Sequence, residues 1–167
     1  MKLSELMAKI TPDPSFEGFA TNDDFVLAVN INTNAEAPGK PGDFVVVQVG
    51  VTGHEASLET ETDEKQYIRT GKVTTKTGTQ RTFSIAGDRY HGDAFQDWAM
   101  SLPIMFGHGA KVVAEYVYFS VLTGKGERGK VSVVVQEDQT GDAGENAGFS
   151  VDLMGQGDPE EYTYAAA

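Results

Sequence analysis

From Phe44 to Thr52 the chain reads FVVVQVGVT, with Val45, Val47, Val49 and Val51 at every second position. Side chains alternate across a β-strand, so this spacing puts the four valines on one face and commits the segment to a sheet with a buried side. The same period returns in Phe25–Asn32, where Phe25, Leu27, Val29 and Ile31 share a face. It returns again in the Thr-rich stretch Gly71–Ala86, which reads as one strand or as two broken near Gly78. Further strands are predicted at Lys111–Leu122, Lys130–Gln136 and Gly148–Met154, the last two joined by the polar loop EDQTGDAGENA. On that pair Val131, Val133 and Val135 oppose Ser132 and Gln136, and Phe149, Val151 and Leu153 oppose Ser150 and Asp152.

One segment has helical spacing instead. In HGDAFQDWAMSLP, Asp93 is placed to cap the first turn and Gln96 follows at the interval of a capping box. Phe95, Trp98, Ala99 and Leu102 form one apolar stripe suited to packing on a sheet, and Pro103 ends the helix. Near the start, Leu3, Leu6, Met7 and Ile10 have the spacing of a short amphipathic helix, closed by Pro12 and Pro14. The expectation is a mainly β fold, sandwich or barrel-like, with one flanking α-helix at about 93–102. It divides into an N-terminal arm (1–24), a β domain (25–157) and a C-terminal tail (158–167), and NTNAEAPGKPGD is turn chemistry throughout.

Between two of these strands lies an anomaly, TGHEASLETETDEK, with five acids (Glu55, Glu59, Glu61, Asp63 and Glu64) and only Leu58 as a large apolar residue. It is too polar to fold by itself, so a mobile loop at about 53–70 is expected. Charge is uneven elsewhere too. The net charge is −12, yet Lys65 to Arg89 carries six bases (Lys65, Arg69, Lys72, Lys76, Arg81 and Arg89) against Asp88 alone. Val131 to Ala167 carries eight acids and no Lys or Arg. Such a split favours head-to-tail pairing between copies and disfavours gripping nucleic acid, which needs clustered bases.

Signs of chemistry are weak. Gly124, Gly126 and Gly129 match a dinucleotide-binding glycine pattern, but a strand follows where a helix is needed, so a hairpin turn is expected. Asp138, Thr140, Asp142 and Glu145 resemble a calcium loop, but Ala143 and Phe149 stand where a glycine and an acid belong. His54, His91 and His108 are widely separated and each lies beside glycine, which reads as surface turns. There is no cysteine, and no apolar run approaches the roughly 20 residues of a membrane helix. A soluble protein that works without export, cofactor, metal or membrane, and that is not an enzyme, is the expectation.

The order of these segments resembles the major tail tube proteins of long, non-contractile-tailed bacteriophages. The resemblance rests on the Val-rich strand, the polar excursion TGHEASLETETDEKQYI, the strand TTKTGTQRTFSIAG, the helix GDAFQDWAMS and the closing hairpin KVSVVVQEDQTGDAGENAGFSVDLMGQGD, over about 25–157. It implies a β-sandwich or barrel-like fold related to the tubes of contractile phages and of type VI secretion. Six copies would form a ring, each giving four strands to an inner barrel, and rings would stack around a tape measure protein. DNA would later pass without specific binding. The implied partners are further copies of the chain, the tape measure protein, and terminator and initiator proteins. The implied location is the virion tail, with the host cytoplasm during assembly.

Carried onto this sequence, the inter-ring loop would comprise His54, Glu55, Leu58, Glu59, Glu61, Asp63, Glu64, Lys65 and Arg69. The lumen would be lined by Thr82, Ser84, Ser132, Gln136, Ser150 and Asp152. Another ring component, such as a type VI-like tube protein or a tail terminator, is the nearest alternative. A monomeric binding β-sandwich would want exposed aromatics, whereas Tyr116, Tyr118 and Phe119 have the spacing of core and edge residues.

Overall fold

A computed structural model of the protein describes residues 1–32 and 39–165, so residues 33–38 of the expected turn segment lie outside the description. The strands are β1 (Phe25–Val29), β2 (Val45–Val46), β3 (Val51–Tyr67), β4 (Gly71–Asp88), β5 (Val113–Ser120), β6 (Lys125–Thr140), β7 (Gly148–Gly155) and β8 (Glu160–Thr163). The α-helices are α1 (Leu3–Met7), α2 (Ala94–Ala99) and α3 (Leu102–Met105). All strand pairings are antiparallel in one sheet of order β2-β1-β5-β6-β7-β4-β3, with β8 added alongside β6.

Connectivity forces that sheet to curl. Its border strands β2 and β3 are neighbours in sequence, separated only by residues 47–50. Seven flat strands would put the borders about 29 Å apart, whereas the chain from Val46 to Val51 reaches about 18 Å when fully extended. The sheet therefore wraps into the barrel-like form of the expected fold. The continuous strand expected over Phe44–Thr52 is corrected accordingly. It breaks at a turn where Gly50 adopts φ +71 and its carbonyl accepts the Asp88 amide at 2.8 Å. Val45 and Val47, which lead into the bend, stay buried, and Val51 beyond it packs partly against the core.

The inner face collects Leu27, Val29, Phe83, Ile85, Tyr116, Val131, Val133, Phe149, Val151 and Leu153 in one cluster, closed by Phe95, Ala99 and Ile104 from α2 and α3. A second cluster lies on the outside of β1, β2 and β5. There α1 sets Leu3 and Met7 over Val26, Ala28, Val46, Val117 and Phe119, with Tyr162 and Tyr164 packed beside them. Strand β1 is thus buried on both faces, where the alternating pattern had suggested one. Leu3 and Met7 near the start, and Tyr162 and Tyr164 of the last described segment, pack on the body, each fully buried apolar side chain contributing about 2 kcal/mol.

The helix region departs from expectation at its end. Asp93 caps α2 as expected, its Oδ2 accepting the Gln96 amide at 3.0 Å. The Gln96 side chain, however, does not close a capping box. Its Nε2 donates to the Val49 carbonyl at 2.6 Å, and its Oε1 accepts the Tyr90 amide at 2.8 Å, stitching α2 to the bend between β2 and β3. The helix stops at Ala99, and Ser101 and Pro103 open α3. Pro103 therefore begins a helix rather than ending one, and Leu102, expected in the apolar stripe, turns outward with 66% of its surface exposed. Phe95 and Ala99 are fully buried, and Trp98 packs partly against the core.

Candidate functional site

The loop expected at about 53–70 is instead strand β3 and the turn that follows it, paired along its length with β4. β3 and β4 run antiparallel from Val51↔Gly87 to Tyr67↔Gly71. Only Thr82–Asp88 of β4 also pairs with β7, so the remainder projects from the body as a two-stranded ribbon. From the Glu59↔Gln80 pair to the turn, this arm extends about 30 Å at the usual rise per residue. Every residue from Glu55 to Thr70 is exposed.

The Thr-rich strand makes the acidic one tolerable. Opposite Glu55, Glu59, Glu61, Asp63 and Glu64 stand Ser84, Gln80, Gly78, Thr75 and Thr74, so none faces another acid directly. Alternation places Glu55, Glu59, Glu61 and Asp63 on one face of the arm and Glu64, Lys72, Lys76 and Arg81 on the other. Lys72 pairs with Glu64, and Lys65 lies 3.6 Å from Asp63. The break expected near Gly78 is a register shift that leaves Thr77 unpaired while the strand continues. At the tip Arg69 (φ +65) and Gly71 (φ +84) occupy the left-handed region that reverses the chain. His54, expected in a surface turn, is a half-buried strand residue edge-on to Tyr118 at 6.1 Å.

Where the arm meets the body, a nearly enclosed ion pair holds it. Arg81 donates through Nε to Glu127 Oε1 at 2.7 Å and through Nη2 to Oε2 at 3.1 Å, and the Tyr116 hydroxyl donates to Oε1 at 3.0 Å. The guanidinium lies 5.2 Å from the Phe83 ring centroid and 5.5 Å from that of Tyr118. Burial, reinforced by the Glu127 charge, pushes the Tyr116 phenol well above its usual range. Sequence reasoning missed this anchor. The available signal was a base, Arg81, at an inward position of the strand that also points Phe83 and Ile85 inward.

The second surface is the outer face of four adjacent strands, β6, β7, β4 and the base of β3. Strand register places Ser57, Thr82, Met154 and Ser132 in one row, and Glu55, Ser84, Asp152 and Val134 in the next. Ser150 follows beside Ala86. Five of the six expected lining residues therefore share a face. Thr82 is nonetheless covered by its neighbours, only 5% exposed. Gln136 falls at an irregularity between Val135 and Glu137, and its Nε2 donates to Asp152 Oδ2 at 3.2 Å. Among the described residues, the first two rows hold two acids, Glu55 and Asp152, and no Lys or Arg; Glu137 stands opposite Ser150, and exposed Lys130 lies on the same face of β6 one step beyond Ser132.

The other features carry no chemistry that the geometry supports. Gly124 sits in a turn at φ +72, while Gly126 lies within β6 so close to β5 that a Cβ would come 2.0 Å from the Tyr118 carbonyl oxygen. Among the described residues, no group of three or more His, Cys, Asp or Glu is placed to hold a metal ion. Likewise, no helix among them is long and apolar enough to cross a membrane. Tyr116 and Phe119 are buried, so they form no exposed aromatic platform.

No protein-family model matches the chain, and no curated protein is similar to it in sequence. Solved structures do share its fold. The tail of an empty gene transfer agent particle, refined helically with C6 symmetry, superposes with a TM-score of 0.61 at 15% identity, covering 87% of this chain and 100% of that one. A chain of the native gene transfer agent virion gives 0.60 at 14%, with the same coverage. The tube-terminating cap of the anti-feeding prophage gives 0.51 at 13%, covering 91% of this chain and 96% of that one. The curled sheet with its flanking helices is thus a fold used by proteins of phage-like tail particles.

Proposed function

We propose that this protein is a structural subunit of a phage-type tail tube, working by self-assembly into stacked six-membered rings whose lumen conducts DNA. The observation that carries the reading is the arm. A lone two-stranded ribbon is marginal in water, and a chain that invests both long strands in one needs a neighbour to cover it. The likeness of fold to tail proteins, one of them from a particle with C6 symmetry, supports the same reading. In it the arm, including Glu59, Glu61, Asp63, Glu64, Lys65 and Arg69, reaches the next ring, with Leu58 at its root and Glu55 in the wall at its base.

The polar outer face of β6, β7, β4 and the base of β3 suits a lumen wall. Its carboxylates Glu55, Asp152 and Glu137 repel a polyanion and outnumber Lys130, the base beside Ser132 on β6. Ser84, Ser132, Ser150 and Asp152 line the lumen in this reading, with Gln136 at the rim and Thr82 beneath. Assembly proceeds in the host cytoplasm around a tape measure protein, between initiator and terminator proteins, and the product is part of the virion.

Electron microscopy of the concentrated, purified protein tests the proposal. Hollow tubes or six-fold rings are expected, and monomer-sized particles at every concentration would refute it. The likeness to a tube-terminating cap supports one second reading, a ring component at a tube end. Rings that never stack would select that reading.

A further inference from the structure

We infer that the arm tip of one copy docks on the α2–α3 end of a second copy, seating Tyr67 and Ile68 against an apolar shelf beside the acidic β6–β7 loop. The inference rests on the self-assembly reading and adds the receiving surface. Its first support is placement. Strand β4 enters from the tip at Gly71, crosses the body, and leaves at Asp88 for α2. Asp88 pairs with Gly148, which pairs with Thr140, so the β6–β7 loop stands at that same far end. Tip and shelf thus occupy opposite ends of one strand, and a contact between them propagates from copy to copy instead of closing a symmetric pair.

The second support is apolar surface that the single chain leaves uncovered at both ends. At the tip Ile68 is 91% exposed and Tyr67 50%. At the other end a shallow depression is lined by Ile31, Trp98, Ser101, Pro103, Ile104 and Lys111. Beside it Leu102 and Phe106 are exposed by 66% and 77%. The early stop of α2 is what turns Leu102 outward, so the departure from a continuous helix creates the shelf.

Charge is the third support. From Asp63 to Lys76 the tip carries four bases, Lys65, Arg69, Lys72 and Lys76, against Asp63 and Glu64, and keeps a net charge of +2, while the loop and its border carry Glu137, Asp138, Asp142 and Glu145 against Lys111 of the depression. The two ends are therefore complementary, and they orient one copy relative to the next.

The test places a benzophenone amino acid at position 68 of the full chain and maps intermolecular photo-crosslinks at high concentration by mass spectrometry. Crosslinks to residues 98–111 of a second copy are expected. Crosslinks confined to other segments, or none, overturn the docking inference, even if tubes form. Crosslinks to 98–111 in particles that are not tubes leave the docking standing and refute the tube reading instead. Charge reversal gives an independent check. Lys65→Glu with Arg69→Glu and Lys72→Glu should raise the concentration needed for assembly at least about tenfold, as should Glu137→Lys with Asp138→Lys and Asp142→Lys. Combining both sets should restore assembly, and a combination as defective as either set alone contradicts the inference. All six positions are exposed, so melting temperatures should stay near wild type.

Discussion

Strands β3 and β4 place two environments on one continuous backbone. At the body end, Phe83 and Ile85 are fully buried, Arg81 is clamped by Glu127, and β7 supplies a third strand. A few residues outward, the same strands have only each other, and their side chains stand in water on both faces. The lesson is that pairing and burial are separable. Backbone hydrogen bonds extend the ribbon far beyond the core, but the free energy that holds a strand in place comes from the packing it leaves behind.

The sharpest way to test that contrast is to truncate one apolar residue in each environment. Phe83→Ala should lower stability by about 3–5 kcal/mol in urea unfolding, whereas Leu58→Ala, 60% exposed at the root of the arm, should change it by less than about 0.5 kcal/mol. Equal effects would show the arm to be packed on its own body.

Ion pairs give a second comparison of smaller size. Glu127→Ala strands the Arg81 guanidinium and the Tyr116 hydroxyl in a nearly closed setting and should cost about 2–3 kcal/mol. Glu64→Ala breaks an exposed pair with Lys72 and should cost less than about 0.5 kcal/mol. Removing Glu59–Gln80 and joining Leu58 to Arg81 by an Asn-Gly turn should leave the melting temperature within a few degrees of wild type while abolishing tube elongation. Normal tubes from that variant would remove the arm from the assembly. If inter-ring contacts use acid–base pairing, elongation should also weaken as ionic strength rises, and tube length unchanged at about molar salt would count against that.

The smallest expected effect is on pH dependence, and it belongs to the body. Burial raises the Glu115 pKa, but hydrogen bonds from the Gly39 amide and Asn30 and the nearby Arg128 charge outweigh it, holding the carboxyl below its ordinary value. A depressed folded-state pKa means this contribution is complete above the unfolded value of about 4.3 and is lost as pH falls below it. Glu115→Gln should flatten the acid limb of unfolding midpoints measured from pH 6 to 3.

These regions also differ in how far they could be read from sequence. Alternation in β6 and β7 named the inward residues Val131, Val133, Phe149, Val151 and Leu153, because a one-residue slip would flip all of them to the other face. Ser132, Ser150 and Asp152 fall on the opposite face for the same reason, whereas the irregularity at Gln136 breaks the period there. The arm was illegible because its strands have no buried side, so no period of two marks them. Only the Thr-rich partner hinted that the acidic tract was paired. The bend at residues 47–50 was hidden for the opposite reason, since four alternating valines look like one strand until the closure of the sheet breaks them. From sequence, Gln96 reads as closing a capping box and Arg81 only as one of a run of bases, because long-range partners, Val49 and Glu127, decide their roles.

Amide hydrogen exchange along the arm, before and after assembly, bears most directly on the claim that this ribbon is built for a neighbour. In the free chain, amides of Leu58–Tyr67 and Lys72–Gln80 should exchange far faster than those of Phe83, Ile85 and Val151. In assembled particles their protection should rise at least about a hundredfold, toward that of the core. Protection that is already core-like in the free chain, or that does not change on assembly, would contradict the account.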